Sequence, residues 1–189
     1  MAMQISEILF FILKCIYLAV PGMFANMAPV LFKNSMKFLA APVDFGKTWK
    51  GKPIFGKNKT FRGFVAGIFL AIIATLLQTY LYSKYPYFQS LSFIPYSEID
   101  PFLLGFLMGF GVLFGDLAES FVKRRLGIPP GGRFFPWDQL DHLAGGLLFL
   151  SFVFIPPWEV VACLIALAVL LSVTIKHIGY WLGIEKSKW

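Results

Sequence analysis

Four carboxylates gather in one short stretch, Gly115–Gly146, which reads GDLAESFVKRRLGIPPGGRFFPWDQLDHLAGG and holds Asp116, Glu119, Asp138 and Asp141 out of ten acids in the whole chain. Apolar sequence runs into this stretch and out of it. Ionisable groups at such a boundary cost several kcal/mol unless paired and are functional candidates by default. Asp116, Glu119, Ser120 and Lys123 fall at i, i+3, i+4 and i+7, on one helical face. Asp138 and Asp141, at i and i+3, share a face of the next helix. If the two faces meet, the carboxylates repel unless a cation neutralises them. Hard oxygen ligands of this kind suit Mg²⁺, which keeps waters and bridges to phosphate oxygens. The competing reading pairs the acids with Lys123, Arg124 and Arg125, with Glu119–Lys123 at i,i+4 the plainest case. His142 is read as a local hydrogen-bonding group ahead of a metal ligand.

A second segment, Gly51–Gly63, reads GKPIFGKNKTFRG. Gly51, Gly56 and Lys57 mimic a P-loop, but Asn58 stands where Ser or Thr belongs and no strand pattern precedes it, so that fold is rejected. There remain Lys57, Asn58, Lys59, Thr60 and Arg62 ahead of an apolar span. Cations and donors at a helix N-terminus make an anion site. A surface role towards anionic lipid is the plainer alternative. Carboxylates able to hold metal, beside cationic loops at a membrane boundary, point to a phosphate transaction between a soluble nucleotide and a lipid. With only His142 and His177 in the chain, no Ser-His-Asp or Cys-His arrangement competes.

The elements that must position these groups follow from composition. The 189 residues are 58% hydrophobic and 14% charged. A soluble domain is about a quarter charged, and a chain this short has too little interior to bury the excess. The sequence therefore predicts an all-α, polytopic membrane protein, residues 1–189 forming a single membrane-embedded domain. Five spans are expected, at about Glu7–Leu31, Gly63–Ser83, Phe102–Val122, Leu140–Pro156 and Val160–Trp181. Pro21-Gly22 predicts a kink or break in the first, while Gly105, Gly109, Gly111 and Gly115 predict a centrally packed third. The first loop, Lys33–Arg62, carries eight basic residues and one acid, Asp44. Lys123, Arg124, Arg125 and Arg133 in the third loop, and Lys186 and Lys188 in the tail, add to the same side. The positive-inside rule then places the N-terminus outside and the C-terminus and the active site at the cytoplasm. The +7 net charge thus belongs to membrane-facing loops and argues against nucleic-acid binding. Cys15 and Cys163 lie in apolar spans and read as small buried hydrophobes. The N-terminus lacks the marks of a cleaved signal peptide, so the first span is expected to stay.

Gly115-Asp116-Leu117, Glu119-Ser120, Lys123-Arg124 and Asp138-Gln139-Leu140-Asp141 resemble the signature of the phosphatidate cytidylyltransferase (CDP-diacylglycerol synthase) superfamily. Lys59-Thr60 followed by Gly63 resembles its upstream Lys-Thr-x-x-Gly element. The five-span size and the Pro-Gly-rich link before Asp138 are most similar to the archaeal branch, the CDP-archaeol synthases. The resemblance implies an integral membrane enzyme. It implies a reaction in which CTP and the isoprenoid ether-lipid phosphate 2,3-bis-O-geranylgeranylglycerol 1-phosphate give a CDP-lipid and pyrophosphate, with Mg²⁺. By position it implies Asp116, Asp138 and Asp141 as metal ligands, and Lys123, Arg124, Lys59 and Thr60 at the phosphates. Pro130-Gly131-Gly132 lacks the His of the bacterial pattern, and Gln139 stands in place of its Arg. Arg133 is the candidate to supply that charge.

A metal-ion or proton-coupled transporter is the alternative, since intramembrane acids and a broken helix would suit it. The acids, however, cluster near one surface and no inverted repeat is visible. A CDP-alcohol phosphotransferase is disfavoured by the missing Asp-Gly-x-x-Ala-Arg element, and a scaffold leaves the acids without purpose. The chain is compatible with a homo-oligomer.

Overall fold

The computed structural model describes residues 4–181; the expected basic tail residues Lys186 and Lys188 lie outside the described residues. Six helices follow in order: α1 (Ile5–Leu31), α2 (Phe61–Lys84), α3 (Pro86–Leu91), α4 (Pro101–Arg125), α5 (Trp137–Leu150) and α6 (Trp158–Trp181). Between α1 and α2 a small antiparallel hairpin pairs β1 (Thr48–Trp49) with β2 (Lys52–Pro53). Among the described residues, α1, α2 and α4 are long and apolar enough to cross a membrane. The fourth expected span is realised as a 14-residue α5, and α6 contributes a shorter apolar stretch, Trp158–Thr174.

Local chemistry sets the helix ends. Thr60 caps α2 by accepting Gly63 N at 3.3 Å, and Asp100 caps α4 by accepting Leu103 N at 2.7 Å. Pro101 then occupies the first turn, where its missing N–H costs nothing. The last turn of α4 carries Lys123, Arg124 and Arg125, which favour the negative end of the helix dipole, so the helix continues past the expected end at Val122. Of the kink or break expected at Pro21-Gly22, the break is absent: α1 runs as one helix through Pro21 and Pro29. Pro21 and Gly22 are both buried, and packing of α4 against Gly22 supports the backbone there: a Cβ on Gly22 would sit 3.0 Å from Val112 Cγ2.

The glycine pairs of α4 address two different neighbours. A Cβ at Gly105 would meet Ile72 Cα at 2.6 Å, and one at Gly109 would meet Ile68 Cα at 2.9 Å, so this face seats α2. A Cβ at Gly111 would meet Gly145 O at 2.6 Å, and one at Gly115 would meet Asp141 O at 2.0 Å, so the other face seats α5. Backbone-to-backbone approach of this kind is possible only with small residues, and it sets Asp116 directly opposite the first turns of α5. Away from the acids, Cys15, Leu18, Leu104, Met108, Leu150, Val160 and Leu164 join α1, α4, α5 and α6 in one apolar cluster.

Candidate active site

The 32–60 loop closes over the ends of α2 and α4. Val43 N donates to Lys59 O at 2.8 Å and Phe61 N to Ala41 O at 3.1 Å, so the base of the loop is tied where Lys59 enters α2. Arg125 holds the hairpin: NH1 donates to Trp49 O at 2.6 Å, NH2 donates to Pro53 O, and Trp49 stacks on Phe121 at 5.5 Å. Inside the loop, Asp44 accepts backbone N–H bonds from Gly46, Phe55 and Gly56. Burial works against its ionisation, yet donation from Gly56, Phe55 and Gly46 outweighs that penalty and holds the carboxyl below the usual range.

Under this loop lies an open cavity of about 300 Å³ whose walls include Asp116, Glu119, Lys123, Arg124, Asp138 and Asp141. Both oxygens of Asp116 accept from Lys59 Nζ, at 2.7 and 2.6 Å. Asp141 Oδ1 lies 2.7 Å from His142 Nδ1, and His142 Nε2 lies 3.9 Å from Asp116 Oδ1. One ligand atom each from Asp116, Asp141 and His142 falls within 4.8 Å of the others. One helical turn further, Lys123 Nζ pairs with Glu119 Oε1 at 2.7 Å and with Asp138 Oδ1. Asp138 Oδ2 accepts Phe134 N at 2.7 Å.

All three expected aspartates line this one cavity, Asp116 and Asp141 in the close trio with His142 and Asp138 paired to Lys123. Asp138 and Asp141 share a face of α5, but i and i+3 lie about 4.5 Å apart along the axis. Asp141 is level with Asp116, whereas Asp138 is level with Lys123. His142 joins Asp116 and Asp141 in the close trio. Its adjacency to Asp141 was visible in the sequence, but adjacency alone does not say which helix it faces. The Glu119–Lys123 pairing forms as its i,i+4 spacing allows.

The other candidates separate in the same way. Arg124 is 6% exposed and lines the cavity, and its Nε and NH1 find no partner among the described residues. A buried guanidinium left so calls for an anion. Asn58 and Lys59 line the cavity, while the Thr60 hydroxyl is engaged in capping α2. Lys57 and Arg133 are exposed, each next to or close to a residue that lines the cavity, Gly56 and Asn58 for Lys57 and Gly131 for Arg133. Arg62 NH1 donates to Ser35 O at 3.3 Å, on the loop side of α2.

A second cavity of about 210 Å³ opens between α1 and α2, walled by Asn26, Pro29, Val30, Phe64 and Leu113. It shares Asn58, Lys59, Asp116 and His142 with the first. Nothing in the sequence spacing marked Asn26, since its relation to Asp116 depends on how α1 packs on α4. The site is thus two chambers meeting at one ion-paired centre, the first polar, the second reaching the apolar flank of the bundle.

A family model described as CarS-like: CDP-archaeol synthase matches residues 8–189. A CDP-archaeol synthase of Archaeoglobus fulgidus is 39% identical over 184 residues, covering 94% of this chain and 98% of its own. One of Pyrococcus furiosus is 36% identical over 180 residues, covering 94% and 95%. A solved structure described as an intramembrane enzyme for archaeal membrane lipids biosynthesis superposes with a TM-score of 0.62 at 28% identity, covering 87% of this chain and 93% of its own.

Proposed function

The chain belongs to the CarS-like CDP-archaeol synthase family and is a membrane cytidylyltransferase of archaeal lipid synthesis, and from that premise we propose how its site performs the transfer. CTP occupies the polar chamber under the 32–60 loop. The lipid phosphate, 2,3-bis-O-geranylgeranylglycerol 1-phosphate, brings its head group into the second chamber while its chains leave between α1 and α2. The observation that carries this reading is the shared wall: Lys59, Asp116 and His142 belong to both chambers, so two phosphate-bearing substrates would meet there.

A lipid phosphate oxygen attacks the α-phosphorus of CTP, the new P–O bond forms, and the bond to the bridging oxygen of the departing pyrophosphate breaks. No general base is required, because a phosphate monoester is already largely ionised near neutral pH. The work of the protein is alignment and charge neutralisation. Lys59 reaches the junction of the chambers and is held in place by Asp116. Lys123, oriented by Glu119 and Asp138, and Arg124, buried without a counter-charge, face the polar chamber and receive the triphosphate. Asp138 pairs with Lys123 and positions it, in the same chamber as Asp116 and Asp141. Asp116 and Asp141, joined by His142, have the donor set and spacing for a divalent cation; the two carboxylates favour Mg²⁺. When bound there, the cation would neutralise phosphate oxygens of the substrates.

In this reading α5 and α6 complete a five-span bundle. The basic residues of the 32–60 and 126–136 loops support a cytoplasmic site with the N-terminus outside. The transporter alternative is not favoured, given family membership over nearly the whole chain. The test is formation of labelled CDP-lipid by purified protein from radiolabelled CTP, with ether-linked and ester-linked lipid phosphates compared. Thiol labelling of single cysteines at Lys50 and Glu98 from either side of sealed vesicles tests the topology. Neither acceptor turning over, or both positions labelling from one side, would overturn the corresponding part.

A further inference from the structure

Asp44, the one acid of the basic loop, is 6% exposed and forms no ion pair among the described residues. Its Oδ1 accepts Gly46 N, and its Oδ2 accepts Phe55 N and Gly56 N, all at 2.9 Å. Two of these donors lie across the hairpin, so one carboxylate joins both ends of the 44–56 segment. Burying an ionised carboxylate is unfavourable unless it is fully hydrogen-bonded, which makes the arrangement specific rather than incidental. Phe55 and Gly56 are themselves walls of the polar chamber. Gly56 adopts φ +103°, open to glycine and strained for other residues, which suits the turn that presents its N–H to Asp44. Lys59 donates its N–H to Gly56 O at 3.1 Å and has a further tie through its carbonyl, which accepts Val43 N at 2.8 Å.

We propose that Asp44 is a positioning residue for the nucleotide, holding the Phe55–Gly56 wall against which CTP binds. The inference rests on CTP occupying the polar chamber. Because Phe55 and Gly56 line the polar chamber and not the second one, loosening this wall acts on CTP binding ahead of the lipid phosphate.

The test compares purified wild type, Asp44→Asn and Asp44→Ala in CTP-dependent transfer, with each substrate varied in turn. Loss of charge-assisted bonds to two wall amides predicts a rise in the CTP KM of about tenfold in Asp44→Ala and about threefold in Asp44→Asn, which keeps one acceptor oxygen. The lipid-phosphate KM and kcat stay within about twofold. Should Asp44→Ala fail to accumulate, Asp44→Asn is paired with hydrogen exchange at Phe55 and Gly56, where exchange quickens together with the rise in CTP KM. An unchanged CTP KM, or kcat and both KM values worsening in step, overturns the positioning role while leaving the functional reading intact. A wild-type chain without CTP-dependent transfer overturns both.

Discussion

Replacing Gly115 with alanine puts one methyl group where α4 and α5 touch. Its Cβ would lie 2.0 Å from Asp141 O, 2.9 Å from Asp141 C and 3.2 Å from Gly145 Cα. All three are backbone atoms, so no side chain can turn aside. Restoring a carbon–oxygen contact of roughly 3 Å requires α5 to retreat by about 1 Å, because close-packed helices transmit such a clash as a rigid shift. The displaced residue is Asp141 itself, and the neighbour of Gly115 is Asp116, so the shift falls on the two carboxylates read as the cation site. Misplacement by about 1 Å costs on the order of 100-fold in rate, close to 2.7 kcal/mol of transition-state stabilisation. Overpacking is also expected to lower stability by about 1–3 kcal/mol. The control is Gly146→Ala, on the facing helix α5, whose new Cβ would meet only the Val112 Cγ2 methyl at 3.1 Å. The assay is kcat for CDP-lipid formation at equal amounts of folded protein, checked by size exclusion and thermal melting. Gly115→Ala should lose about 100-fold, and Gly146→Ala should stay within about threefold. Folded Gly115→Ala protein with the rate of Gly146→Ala would refute the claim that this helix contact sets the catalytic geometry.

Lys59→Met removes both hydrogen bonds to Asp116 and the cation at the junction of the chambers; kcat is expected to fall by about 100-fold or more, with thermal stability changed far less. Asp100→Ala removes the N-cap of α4 at the far end of the bundle, lowering stability by about 0.5–2 kcal/mol in thermal melts while leaving kcat unchanged. Asp44 supplies a pH prediction. Its carboxyl titrates below its unfolded value of about 3.9, so its stabilisation is fully present above that pH and is lost as pH falls through the lower, folded value. The melting-temperature gap between wild type and Asp44→Asn should therefore be constant from neutral pH to about 5 and shrink below about 4; a gap that widens on acidification contradicts this.

The sequence was most legible where one periodicity carried one consequence. Apolar stretches longer than a bilayer core marked α1, α2 and α4, and the i,i+4 glycines of α4 announced close packing. That Gly105 and Gly109 would seat α2 while Gly111 and Gly115 seat α5 could not be read, because spacing names a face and not its neighbour. The same gap applies to the acids. Asp138 and Asp141 were correctly given one face of α5, but which of them stands level with Asp116 depends on how far α5 slides along α4. The 32–60 loop was the least legible region. Its hairpin has two residues per strand, too short for any alternation to register. Asp44, alone among basic residues, carried no pattern that would identify it as the buried hub of the loop. The continuity of α1 through Pro21 likewise depended on tertiary support from α4 that local rules omit.

The central claim is that Asp116 and Asp141 hold a cation where CTP meets the lipid phosphate. Its most direct measurement is the rate of labelled CDP-lipid formation across a Mg²⁺ titration for wild type, Asp116→Asn and Asp141→Asn. The account predicts strictly Mg²⁺-dependent transfer by wild type, with one pyrophosphate released per CDP-lipid. It predicts losses of about 1,000-fold in each variant and a Mg²⁺ requirement displaced to higher concentration. Variants that match the wild-type rate and half-saturate at the same Mg²⁺ concentration would contradict it.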